Sequence, residues 1–289
     1  MSGPSKITIA VNPFSGRFHP GVLFSVERSL RKHGFRVTVL AGEFSRLKEM
    51  SFGEEDYLVV IGGDGSVNMA LNALGPGKVP ICIIPTGTGN ALAKELEIPT
   101  SSPTRAVSLV IEGRRRKIDV GTVDGHYFLL MAGAGFDANV AKRVTQKAKR
   151  RLKIGGYAIS ALLEFWRYEP HPIMMKAGDD WYQGVTVLFC NTRTYGGPLT
   201  FARRAQIDDG SLDVVVFKKM GLMRIMQYLL MGMGLNLGSI RSQVDYFQSK
   251  SVRVFPTRPV PYQADGDYCG FLPQKIGVLQ CAQEFFVPA

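Results

Sequence analysis

Cysteine is scarce and scattered. Cys82, Cys190, Cys269 and Cys281 show no CxxC spacing, which predicts neither a zinc site nor a disulfide framework and fits a reducing cytoplasm. The N-terminal residues lack the charged start and apolar core of a signal peptide, so the protein is expected to stay inside the cell. No internal repeat or low-complexity tract is present. Acidic residues are in short supply, 24 against 35 lysines and arginines, for a net charge of +11; such an excess implies an anionic partner, which could be nucleic acid, nucleotide or an acidic membrane surface. A long uninterrupted apolar run is also missing. Residues 220–240 come nearest, but Arg224, Gln227, Asn236 and four glycines interrupt them, which predicts a packed helix with a glycine-rich exit rather than the ~20 apolar residues of a membrane span. Met220, Met223, Met226, Met231 and Met233 also offer an adaptable apolar surface for acyl chains.

What is present centres on residues 57–68. Leu58 to Ile61 are apolar without alternation, as in a parallel strand covered on both faces. Gly62, Gly63, Asp64 and Gly65 then break the run, and Ser66 stands where a helix N-cap would. Glycines let backbone N–H groups approach an anion, and the helix end adds a favourable dipole. Asp64 is out of place beside a phosphate unless it binds a metal ion or takes a proton.

Two more polar turns follow strands: residues 12–16 and the glycine-rich 85–90. Strand and helix alternate to about residue 112, predicting a Rossmann-like parallel sheet with both glycine turns at its carboxyl edge. Beyond Arg114 strands dominate, beginning with a hairpin at Asp124-Gly125. The expected fold is α/β plus β, with a nucleotide-binding domain over 1–122 and a mostly antiparallel β-sandwich domain over 123–289. A return of the last residues to the first domain is the variant of this division, and the active site is expected in the cleft.

This combination resembles the diacylglycerol kinase catalytic-domain family, which includes bacterial lipid kinases, sphingosine kinases and ceramide kinases. The likeness extends through residues 118–121, 132–137, the Tyr-Gly-Gly stretch of 191–197, the Asp-Asp-Gly-x-Leu-Asp stretch of 205–213 and Asp265-Gly266-Asp267. It implies transfer of the ATP γ-phosphate to a lipid hydroxyl, with diacylglycerol as first choice. ATP is expected on Asn12, Pro13, Ser15, Gly16, Gly62, Gly63, Asp64, Gly65, Ser66, Asn68, Thr86, Gly87, Thr88 and Asn90. Asp265 is expected as general base, with Asp64 second and Asp267 beside them, and Mg²⁺ accompanies the nucleotide. The resemblance also implies a structural Mg²⁺ on Asp209 with Gln206 and Ser211, oxygen-only ligands of the kind it prefers. A hairpin turn at Asp265-Gly266 and a solvated turn at Asp208-Asp209 are the plainer readings. The chain departs from the family at Met69, Ala91 and Asp267, and lacks a proline over 201–205.

Lys142, Arg143, Lys147, Lys149, Arg150, Arg151 and Lys153 form a basic cluster with no acidic residue from 138 to 163. It reads as a solvated face or, for a lipid enzyme, as contact with an anionic leaflet, giving a cytoplasmic protein peripherally associated with the membrane. Nucleic acid is not expected, because aromatics do not interleave with the basic residues. The rival functions are an NAD kinase-like activity and a non-catalytic nucleotide- or lipid-binding regulator.

Overall fold

The structure, a computed structural model, describes residues 5–143, 169–196, 199–235, 238–272 and 275–289. The chain divides into two compact units, residues 1–120 with 281–289, and residues 121–280.

In the first unit β1 (Lys6–Val11), α1 (Pro20–Lys32), β2 (Arg36–Ala41), β3 (Tyr57–Gly62), α2 (Asp64–Leu74), β4 (Ile81–Pro85), α3 (Ala91–Glu95) and α4 (Pro103–Glu112) alternate. β5 (Arg115–Val123) then carries the chain into the second unit. The strands line up in the order β2-β1-β3-β4, all parallel. Leu58, Val59, Val60 and Ile61 have no exposed surface, the signature of a strand covered on both faces. α1 buries Val22, Val26 and Leu30 at helical spacing and opens on Pro20, whose missing N–H costs nothing there. α4 is capped by Ser102, which accepts from the Arg105 amide, and ends at Gly113 with φ 74°.

The second unit continues with β6 (His126–Phe128), β7 (Met131–Ala134), α5 (Phe136–Arg143), β8 (Ile173–Ala177), β9 (Asp180–Gly184), β10 (Thr186–Cys190), β11 (Thr194–Gly196) and β12 (Leu199–Thr200). It is completed by β13 (Leu212–Phe217), α6 (Leu222–Gly232), β14 (Val244–Ser249), β15 (Ser251–Pro256), β16 (Pro261–Ala264), β17 (Asp267–Phe271) and the start of β18 (Lys275–Phe286). A six-stranded antiparallel sheet runs β14-β13-β10-β7-β16-β17, and β9, β8, β15 and β18 form the opposing layer. Alternation along the strands sorts two cores. Val187, Phe189, Val214 and Val216 face the opposing layer with Met175 and Val254. Leu188, Cys190, Val215 and Phe217 point the other way, under Ala202, Ala205 and Tyr228 of the covering loop and α6.

Residues 126–134 form two strands, β6 and β7, separated at Leu129 and Leu130. The basic residues from 147 to 153 lie outside the described residues. Among the described residues, no helix is long and apolar enough to cross a membrane.

Candidate active site

β1, β3 and β4 are neighbours, so the turns that leave their carboxyl ends meet. The Asn12 amide nitrogen donates to Ser66 Oγ at 3.0 Å, while Asn12 Oδ1 accepts from the Phe14 amide at 3.0 Å. Thr86 Oγ1 donates to Ser15 Oγ at 2.9 Å, and its amide donates to Gly62 O at 2.9 Å. Ser66 is not the helix cap: α2 begins at Asp64, its N-cap is Gly63, and Ser66 is buried in the first turn as the partner of Asn12.

The glycines divide into two kinds. A Cβ on Gly63 would stand 2.9 Å from the Gly87 Cα, and one on Gly87 would stand 2.5 Å from the Gly63 Cα, so this pair exists to let two turns touch. Gly65 faces open space, with nothing within 4 Å of where its Cβ would be. It sits in the first turn of α2, where helix amides and dipole favour an anion. Around that opening Pro13, Gly16, Thr88 and Gly89 are exposed. Asn90 adopts φ 49° and donates to Gly87 O at 2.9 Å, closing the third turn. Asn68 is half-buried further along α2 and accepts from Asn72 at 2.9 Å.

Two residues have roles here that local pattern did not reveal. Asp64 turns away from the opening and accepts the amides of Ala91 and Leu92, each at 3.0 Å, so it caps the short α3 from across the turn. Arg17 donates its amide to Thr86 O at 2.8 Å and its Nε to Gly87 O at 3.2 Å. Its guanidinium is thereby tethered beside the phosphate-type turns, a placement suited to anion binding. A lone arginine after a glycine gives no such signal in sequence.

In the second unit Asp265 and Gly266 form a tight hairpin turn, both at positive φ, 48° and 84°. The carboxylate of Asp265 accepts three backbone amides: Leu129 at 2.8 Å, Leu130 at 2.9 Å and Met131 at 3.0 Å. Asn191 grips the same segment, its side-chain nitrogen donating to Leu129 O at 2.9 Å. Two residues on, Asp267 is exposed at the start of β17. Under the turn lies a buried network. Gln263 donates to Asp137 at 2.7 Å and accepts from the Gly266 amide at 2.6 Å, and the Tyr195 hydroxyl donates to the other oxygen of Asp137. Burial pushes the Asp137 carboxyl above the ordinary carboxylate range, while these two hydrogen bonds pull it back down. Lys142 places its ammonium 5.2 Å from the ring centre of Tyr268 and 5.8 Å from that of Phe271.

Asp209 makes an Asx turn, accepting the Ser211 amide at 2.9 Å, with Gln248 at 3.3 Å on its other oxygen. Gln206 is exposed nearby in the same loop. Asp213 also takes Gln248, at 3.2 Å, and the Tyr246 hydroxyl. Its carboxyl is raised, by burial first and also by the charge of Asp209, against those two hydrogen bonds. Among the described residues, no three His, Cys, Asp or Glu side chains gather as a metal cluster.

A phosphate-type cradle on a parallel α/β unit, joined in one chain to a β-sandwich with a carboxylate hairpin, defines a nucleotide-dependent phosphotransferase. The diacylglycerol kinase catalytic-domain model matches residues 6–123, and the YegS C-terminal NAD kinase beta sandwich-like domain model matches residues 131–285. The diacylglycerol kinase of Bacillus subtilis is 30% identical over 93% of this chain and 91% of its own. That of Mycobacterium tuberculosis is 27% identical over 98% and 95%. A solved diacylglycerol kinase from Bacillus anthracis, 22% identical, superposes with a TM-score of 0.75 over 100% of this chain and 98% of that one. The chain belongs to the diacylglycerol kinase family and is an ATP-dependent lipid kinase.

Proposed function

We propose that the acceptor lipid is diacylglycerol and the product phosphatidic acid. The observation that carries the nucleotide half is the cradle of three turns, with open space at Gly65, the α2 N-terminus and the tethered Arg17; these residues bind and orient the ATP phosphates. In the transfer the lipid hydroxyl oxygen bonds to the γ-phosphorus, the bond to the β,γ-bridging oxygen breaks, and ADP leaves. The hydroxyl proton passes to a carboxylate. Asp265 was the first expectation; its oxygens accept three amides, and those of Asp64 two. We assign the base to Asp267 on its exposure at the start of β17, with Asp265 fixing where that hairpin stands. When bound, Mg²⁺ neutralises charge on the phosphates. A structural Mg²⁺ would be held at Asp209 with Gln206 and Ser211 of the same loop, oxygen ligands of the kind a hard cation prefers. Contact with an anionic leaflet through Lys142, Arg143 and the basic residues up to Lys153 belongs to the same reading.

The test is transfer from labelled ATP with Mg²⁺ into diacylglycerol, monoacylglycerol, sphingosine, ceramide, phosphatidylglycerol and NAD. Labelled phosphatidic acid is expected, reduced by about 100-fold or more in Asp267→Asn with unchanged ATP affinity and melting temperature. Label in another lipid would replace diacylglycerol as acceptor. Label in NAD alone, or ATP binding with no product, would overturn the reading in favour of an NAD kinase or a regulator.

A further inference from the structure

α6 is apolar on two faces. One covers the outer core through Tyr228 and Gly232, with the Phe217 and Tyr228 ring centres 4.5 Å apart. The other carries Leu222, Met226, Leu229 and Met233 at i, i+4, i+7 and i+11, with Met223 beside them, all exposed; Met223 and Met226 are 73% and 55% exposed. Its two strongly polar side chains, Arg224 and Gln227, bond to each other at 3.1 Å. From residue 214 to 244 the chain has no acidic residue, while Lys218, Lys219, Arg224 and Arg241 fall in it. Arg203 adds a further cation by donating to Met231 O at 3.3 Å. An 11-residue helix is too short to span a bilayer. Among the described residues this thioether-rich stripe meets no partner, and although Lys218 pairs with Asp245 at 2.7 Å, Lys219 and Arg203 leave the nearby charge cationic, which matches the interior and headgroups of an anionic leaflet.

We propose that α6 docks the protein on anionic phospholipid, its Leu222–Met226–Leu229–Met233 stripe entering the interface and the flanking Lys and Arg meeting the headgroups. This rests on the lipid-kinase reading, in that the membrane is where the acceptor resides, but it concerns a surface separate from the assigned transfer residues.

The test compares wild type, Met223→Glu/Met226→Glu, and Phe24→Ser as an exposed apolar control on α1, by co-sedimentation with phosphatidylglycerol/phosphatidylcholine vesicles. Thermal melts verify folding. Turnover of a water-soluble short-chain diacylglycerol is measured beside turnover of a long-chain one held in vesicles. The double variant is expected to lose vesicle affinity by about tenfold or more, with vesicle-substrate turnover falling and short-chain turnover unchanged; Phe24→Ser is expected to behave as wild type. Undiminished vesicle binding by the double variant overturns the proposal. So does an equal loss of short-chain turnover, which would make the stripe an acyl-chain contact, or a wild-type dimer that the variant dissolves, which would make it a self-association face. If no lipid is phosphorylated while vesicle binding still depends on α6, the acceptor reading fails and the docking surface stands.

Discussion

Two hairpins in this chain use the same dipeptide. Asp124-Gly125 joins β5 to β6, pairing Val123 with His126, and Asp265-Gly266 joins β16 to β17, pairing Ala264 with Asp267. Their φ values are nearly the same, 48° and 77° against 48° and 84°, as the two-residue hairpin turn demands. Their carboxylates differ. Asp124 is exposed, while Asp265 gathers the amides of Leu129, Leu130 and Met131, and the Gly266 amide is anchored through Gln263 to the half-buried Asp137. Local sequence chooses a turn; distant partners decide whether the turn is also a fixed platform.

Removing the carboxylates should separate the two most. Asp265→Ala strands three backbone amides and is expected to cost about 3 kcal/mol, whereas Asp124→Ala should stay within about 0.5 kcal/mol. Urea unfolding with hydrogen exchange at residues 129–131 reads both. Equal costs would show that the amide contacts contribute nothing beyond the turn.

The glycines should behave alike. Gly266→Ala and Gly125→Ala each force a Cβ into positive φ, for about 1 kcal/mol apiece. A much larger loss at Gly266 would mean that its anchored amide, not its conformation, sets the cost.

The smallest effect is in pH. Burial holds the Asp137 carboxyl above its unfolded value, so its favourable contribution is complete below the ordinary carboxylate range and is lost as pH rises through the native value. Wild type should therefore lose stability relative to Asp137→Asn between acid and neutral pH. A difference that grows the other way would mean that Asp137 stays ionised in the fold.

The strands of the first unit, its three turns and both hairpins were legible because each depends on neighbours: unbroken apolar runs, glycines after strands, Asp-Gly between strands. The structure of the second platform was not. Asp137 meets Gln263 across 126 positions and Asp265 meets Leu129 across 136, separations at which no periodicity points to a partner. Ser66 misled for a related reason, since a serine near a helix start reads as a cap, yet its hydroxyl is taken by Asn12 from another strand. Arg17 and the capping use of Asp64 likewise appear only once β1, β3 and β4 lie side by side.

The order in which the chain is made bears on the first unit. Residues 281–289 belong to it, and the end of β18 lies beside β4, pairing Phe285 with Ile81. Phe285 and Phe286 are fully buried there, and Gln283 donates to Val79 O at 2.8 Å. Each phenylalanine withdraws about 2 kcal/mol worth of apolar surface from water. On the ribosome these residues emerge only after the entire sandwich has been synthesised. The first unit, first to be translated, is thus last to be finished, and a nascent chain cannot complete it before the sandwich has been synthesised.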